Sequence, residues 1–265
     1  MTTPSPSQKT NHQPPSPSRR HFLKMAGTAS ATALALGTLS QMPLIADACR
    51  VSQKVPNTTP QSLIPSTKET LIAKDFSHVP ERNSKLSKKQ LIEHIGLYEG
   101  YVKKLNQAQN KLNEANATGN FENIRTLQLK RSYSHDGAIL HDYYFSNLGE
   151  DQPLIGKQTG TLLERDFGSV ENYLNNLTAV GSKMRGWVIT GFSHLDNKVY
   201  NYGLDAHDAG MPSHVSPLVV MDVYEHAYMI DFGTKRSEYL DVFKHSIRWE
   251  EVEKRLHQAL QLASQ

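Results

Sequence analysis

From Ser87 the chain keeps a helical alternation of apolar and polar residues for nearly thirty positions, with Ser87 placed to cap the start. His94, Tyr98, Tyr101 and Leu105 share one face of that helix. A second helical stretch runs from Glu122 to a glycine stop at Gly149. Only Thr118-Gly119-Asn120-Phe121 separates the two, so the pattern predicts an antiparallel helical hairpin.

After Gly160 the pattern changes. The segment from Thr161 to Met184 reads as two shorter helices broken at Gly168-Ser169. Two β-rich runs follow, Arg185–His194 and Lys198–His207, separated by the hairpin signal Leu195-Asp196-Asn197. A third, Ser216–His226, runs into the stretch Asp222–Phe232, and the chain closes with two more helical segments. The expected fold is α+β: an N-terminal antiparallel helical hairpin over 86–155, then an α+β domain over 156–265 with a small three-stranded antiparallel sheet. Residues 49–85 mix Pro, Thr, Ser, Asn and Lys without periodicity and read as a linker or extended arm.

The first 48 residues read as an address rather than as fold. Ser18–Lys24 contains Arg19-Arg20 followed by x-Phe-Leu-Lys, then a short, mildly apolar run from Met25 to Leu39, then Ala46-Asp47-Ala48. That order matches a twin-arginine export signal, which predicts a periplasmic or extracellular protein. The apolar run is too short and weak for a stable membrane span. Cys49 is the only cysteine, which excludes an intramolecular disulfide. It would be the first residue after cleavage, a position that also suits a lipid anchor, although Asp47 makes a poor attachment box. The formal charge of +3 comes from the same segment. Without it acidic and basic residues balance, so nothing marks a nucleic-acid partner.

The chemistry concentrates where burial is expected. Asp222, Glu225 and His226 stand within five residues, directly after an apolar run. A buried charge costs several kcal/mol unless it is paired or holds a metal. If Asp222 ends a strand and His226 lies in the turn beyond, both can meet at one point. His94 and His141 each lie on an aromatic face of one hairpin helix, and Gly137, one turn before His141, leaves room beside it. Each histidine alone is explained as well by a satisfied core residue, and Asp222 with His226 by a buried structural pair. Together, three His and one Asp make a complete ligand set for iron or manganese, with room for solvent.

Asp222-Val223-Tyr224-Glu225-His226-Ala227-Tyr228 resembles the signature D-x-W-E-H-A-Y of the iron/manganese superoxide dismutases. The resemblance spans roughly Ser87 to Leu262 and includes His141–Leu148, Arg185–Val188 and Arg236–Val252. It implies His94, His141, Asp222 and His226 as ligands of one Fe or Mn ion, with superoxide as substrate. It also implies Tyr101 as the gateway tyrosine, Trp187 as a pocket wall and His207 as the donor near the bound solvent. Glu225 would reach a partner subunit's ligand histidine, making a homodimer or dimer of dimers. Six residues, Ile95–Gly100, separate His94 from Tyr101 where the family usually has seven, so Glu93 is the alternative first ligand. Tyr224 replaces the signature tryptophan, and Met229 stands where a second tyrosine is expected. Local positive charge for an anionic substrate is expected from Lys103, Lys104 or Arg185. Competing readings are another non-haem Fe or Mn oxidoreductase on this scaffold, or an exported metal-binding protein without activity.

Overall fold

The computed structural model describes residues 70–149 and 154–263. The export signal with Arg19 and Arg20, Cys49, and most of the linker lie outside the described residues. A helical turn, α1 (Val79–Arg82), precedes the long hairpin of α2 (Lys88–Thr118) and α3 (Ile124–Asn147). The Ser87 side chain accepts from the Gln90 amide, and Gly119 closes α2 in the left-handed region at φ 69°. Helix α2 is therefore bounded by residues that the periodicity had marked, whereas α3 begins at Ile124 and ends at Asn147 with Leu148 extended, short of the expected glycine stop.

Residues 70–86 are tied to the hairpin instead of hanging free. Leu71 exchanges two backbone hydrogen bonds with the Asn106 side chain, and the Lys74 amide donates to the Tyr98 hydroxyl at 2.9 Å. Phe76, Val79 and Leu86 are buried in the core. These apolar residues are few and stand among Pro, Ser, Asn and Lys, which is why composition alone gave a linker for this stretch.

Two shorter helices, α4 (Lys157–Phe167) and α5 (Val170–Gly181), meet at Gly168-Ser169 as expected. Gly168 takes φ 82°, and Ser169 caps α5 through the Asn172 amide. Helix α4 begins earlier than the pattern suggested. Its first turn is held by Glu253 from the far end of the chain, which accepts from the Gln158 and Thr159 amides. A remote cap of this kind leaves no local signal.

The sheet is antiparallel with order β2-β1-β3, built from β1 (Trp187–Ser193), β2 (Lys198–Leu204) and β3 (Val215–Asp222). Asn197 adopts a left-handed φ of 58° in the β1–β2 turn, a conformation that Asn tolerates. Every residue of β1 is buried, because α3 and α8 (Trp249–Ala263) cover β3 while α4 and α5 cover β1 and β2. Pro217 sits on the edge strand at a register shift that skips Leu218. Edge position and bulge make the proline tolerable. The Leu218 carbonyl, released from the ladder, accepts instead from the buried Arg255 at 2.9 Å.

Past β3 the chain makes a single 3-10 turn (Glu225–Ala227), a short α6 (Met229–Phe232), α7 (Arg236–Lys244) and α8. The register pairs Trp187 with both Leu204 and Asp222. Opposite residues of an antiparallel pair point to the same face. Trp187 and Asp222 therefore enter one space, over which the hairpin lies.

Candidate metal centre

Four separate elements deliver four donors. His94 comes from the second turn of α2 and His141 from the last two turns of α3. Asp222 ends β3, and His226 lies in the 3-10 turn. One donor atom from each forms a set in which all lie within 4.8 Å of one another. The first three residues are buried and His226 is partly exposed, at 27% of its side chain. Glu93 faces solvent, so the helix register brings His94 and not Glu93 to this point.

The surroundings hold each donor in place. Gln90, one turn before His94 and fully buried, donates to the His226 carbonyl at 2.6 Å and accepts from the Ile230 amide. It ties α2 to the turn that carries His226. The Asp222 Oδ1 accepts from the Tyr224 amide, and the Asp222 carbonyl accepts from the Tyr239 hydroxyl at 2.6 Å. The remaining oxygen, Oδ2, faces three imidazoles: Nε2 of His94 at 3.1 Å, of His226 at 3.2 Å and of His141 at 3.6 Å.

His141 decides what the cluster is for. Its Nδ1–H donates to the Gly137 carbonyl at 2.5 Å, so the neutral ring leaves Nε2 as a bare acceptor. That nitrogen has no hydrogen-bond partner among the described residues and points at a carboxylate oxygen. Protonation does not rescue the contact, because burial and the neighbouring His94 push the His141 pKa down to about 3. Burial would raise the Asp222 carboxyl, but His226 and His94 overcome it and hold the pKa well below the usual carboxylate range. Two lone pairs facing each other in a buried space are repulsive unless a cation lies between them. Three imidazoles and one carboxylate fit a borderline transition-metal ion, iron or manganese among them.

Beside the donors lies a hydrogen-bonded line of aromatic residues. Trp187, fully buried, packs its ring 4.9 Å from His141 and donates its indole N–H to His207 Nδ1 at 2.9 Å. Because Nδ1 accepts, the proton of neutral His207 resides on Nε2, which donates to the Tyr101 hydroxyl oxygen at 2.8 Å. Burial pushes the His207 pKa down to about 4 and keeps the ring neutral near pH 7. Tyr101 rests on Gly137, where a Cβ would come 2.7 Å from the Tyr101 ring. Burial, with the adjacent Tyr133 second, raises the pKa of the Tyr101 hydroxyl well above its ordinary value.

The sequence pattern missed some of this setting. Tyr133, at 4.6 Å from the His207 ring, was not singled out, although it stands one helical turn before Gly137. Gln90 likewise stands one turn before His94. Tyr224, in place of the signature tryptophan, stacks on His226 at 5.2 Å and lies 5.1 Å from His207. Glu225 is exposed in the single chain. Of the cations expected to attract an anion, Arg185 is paired with Asp205 at 3.3 Å, whereas Lys104 lies over the Tyr101 ring.

An α+β scaffold with a buried His3Asp donor set and an adjoining tyrosine-histidine line defines a mononuclear metalloprotein. Residues 156–255 match the family model for iron/manganese superoxide dismutases, C-terminal domain. The chain is 33% identical over 193 residues to the iron superoxide dismutase of Aquifex pyrophilus, covering 68% of this chain and 89% of that protein. It is 33% identical over 186 residues to the iron enzyme of Cupriavidus metallidurans, with 68% and 93% covered. Against manganese superoxide dismutase 2 of Haloferax volcanii the identity is 30% over 175 residues, with 64% and 85% covered. The chain belongs to the iron/manganese superoxide dismutase family.

Proposed function

We propose that this protein is a superoxide dismutase that converts two superoxide ions and two protons into dioxygen and hydrogen peroxide. The observation that carries the reading is the unpartnered His141 Nε2 aimed at Asp222 Oδ2, a gap that a bound cation would satisfy. His94, His141, Asp222 and His226 would hold one Fe or Mn ion. Bound there, the ion would supply the one-electron redox couple that the two half-reactions of superoxide require.

The chain's own residues do the rest. Gln90, Gly137 and Tyr239 hold the donor groups in orientation through the contacts described above. Such outer contacts fix imidazole tautomers and preserve ligand geometry. The second half of the reaction consumes protons. The Tyr101 hydroxyl accepts from His207 and interacts with Tyr133, and its own proton would serve that step. Trp187 walls that space and fixes the His207 tautomer. The experiment is metal analysis of the purified protein with a superoxide-decay assay. Stoichiometric Fe or Mn with rapid decay supports the reading, and metal without decay refutes it. Activity that survives His226→Ala would refute the ligand assignment.

Two further proposals concern assembly and location. Glu225 is exposed beside the partly exposed His226, and Leu97, Met229 and Ile230 add exposed apolar surface. This supports a homodimer in which Glu225 accepts from a ligand histidine of the partner subunit. Arg19-Arg20 with the following apolar run supports twin-arginine export. Replacing both arginines by lysine should retain the protein in the cytoplasm, and unchanged export would exclude that route. Recovery of wild-type protein with membranes, lost in Cys49→Ser, would mark Cys49 as a lipid anchor. Among the described residues no helix is long and apolar enough to cross a membrane.

A further inference from the structure

Two histidines that the donor cluster does not use meet at the far end of the sheet. The register pairs Ser193 with Val215, so the next opposite pair is His194 and His214, and the His194 amide donates to the His214 carbonyl at 3.1 Å. Opposite residues of an antiparallel pair point to the same face. Their rings accordingly lie 5.0 Å apart, centroid to centroid. Along β1, His194 stands about 23 Å from Trp187, at about 3.3 Å per residue. The pair is therefore remote from Asp222, which faces Trp187 across the strands.

Each ring is held differently. His194 is half-buried, with buried Phe192 packed edge-on at 5.3 Å and the Ser216 hydroxyl 2.7 Å from its Nε2. With Nε2–H donating to the Ser216 oxygen, Nδ1 of His194 keeps a free lone pair. His214 is exposed, and its imidazole meets the His194 ring but forms no hydrogen bond among the described residues. Its backbone takes a left-handed φ of 61°, a conformation uncommon for any residue with a side chain. Glycine fits that backbone at no steric cost, so the turn itself does not call for an imidazole. Strain of this kind collects at ligand clamps.

We propose that His194 and His214 form a second metal site, an exposed pair of imidazoles for a divalent late transition-metal ion, with copper(II) held more tightly than zinc(II). With metal–nitrogen bonds of about 2.0–2.1 Å, two imidazoles on one tetrahedral ion stand about 5 Å apart, centroid to centroid. The donor cluster shows the same spacing, the His94 ring lying 5.0 Å from that of His226 and 5.1 Å from that of His141. Imidazole suits copper, nickel and zinc, and affinity climbs from manganese and iron to copper. Ser216 fixes the His194 tautomer, as outer contacts do for ligating histidines. Among the described residues no further His, Cys, Asp or Glu joins the pair. Water fills the remaining positions, so the ion exchanges more readily than one at the buried His3Asp set. Bound, it fastens the end of β1 to the start of β3.

The test is equilibrium dialysis of the Fe- or Mn-loaded full chain against copper(II) or zinc(II), with metal counted per chain. The wild type is expected to take up one ion beyond the catalytic complement, copper at a lower free concentration than zinc. His214→Asn removes the imidazole and places there a residue that tolerates the left-handed backbone. It should lose that ion, as should His194→Asn, with superoxide decay unchanged in both. His257→Asn removes an exposed imidazole elsewhere and should keep the ion. Free ion at about a hundred times the dissociation constant shifts the folding equilibrium about 100-fold, so Tm should rise in the wild type and stay level in His214→Asn. A wild type that takes up no further ion overturns the proposal, and so does a His214→Asn protein that binds it as tightly. Equal loss in His257→Asn would mark scattered surface binding and overturn it as well.

Discussion

Replacing Trp187 by phenylalanine keeps an aromatic ring beside His141 and removes the donor that orients His207. His207 is only 1% exposed, so its Nδ1 would lose the indole N–H with little access to water. An unsatisfied buried acceptor costs about 1–3 kcal/mol, and the smaller ring adds about 1 kcal/mol for the cavity it leaves. For a folded unit of this size the sum lowers Tm by about 10 °C. Catalysis should suffer through the tautomer. With Nδ1 no longer engaged, the proton of His207 can move there and away from the Tyr101 oxygen. A hydrogen bond of about 1–1.5 kcal/mol corresponds to about a tenfold change in population. Trp187→Phe should therefore lower kcat by about tenfold while metal content stays full, since neither Trp187 nor His207 belongs to the donor set. His207→Gln should retain most of the activity, because a glutamine carbonyl accepts from the indole and its amide donates to Tyr101. The assays are superoxide decay, metal analysis and thermal unfolding on the same samples. Full activity of Trp187→Phe would refute the tautomer argument. Loss of metal would show that the indole acts by holding the His141 ring instead.

Acid should destabilise the metal-free protein. Burial lowers the pKa of His94 and, with His94 as neighbour, lowers that of His141 to about 3, below the ordinary 6.5. The stability this gives is complete above about pH 6.5 and is lost as pH falls toward 3, where the folded His141 at last protonates. Asp222, also depressed, extends the loss below about pH 4. His226 works oppositely, because Asp222 outweighs its burial and raises it, so its contribution fades as pH rises through its folded value. Denaturant midpoints that rise from pH 7 to pH 4 would contradict this. Arg255→Met should cost about 3 kcal/mol and about 10 °C in Tm with activity per folded molecule retained, because Asn147 Oδ1 and the Leu218 carbonyl lose a buried cationic donor. An unchanged Tm would show those acceptors satisfied otherwise. Glu225→Ala should weaken the proposed dimer by tenfold or more in dissociation constant, read by sedimentation, and an unaltered constant would place the interface elsewhere.

By itself the sequence determined the helical hairpin, the α4–α5 break, the three strands and the order of the four donors. These are local properties: periodicity, caps such as Ser87 and Ser169, and turn residues such as Asn197 act within a few positions. The short spacing Asp222-x-x-x-His226 was equally legible, because strand end and turn lie in one segment. Tertiary structure alone decided between Glu93 and His94, since neighbouring helix positions differ by about 100° in direction and only packing selects which one faces inward. It alone docked Phe76 and Val79, supplied Glu253 as the cap of α4, and brought Trp187, His207, Tyr101 and Tyr133 into line. Those contacts join residues far apart in the chain, and each depends on how the hairpin lies over the sheet. The bare Nε2 of His141 belongs to the same class. Its chemistry follows from a hydrogen bond to Gly137 on one side and Asp222 on the other, and only the folded chain sets both distances.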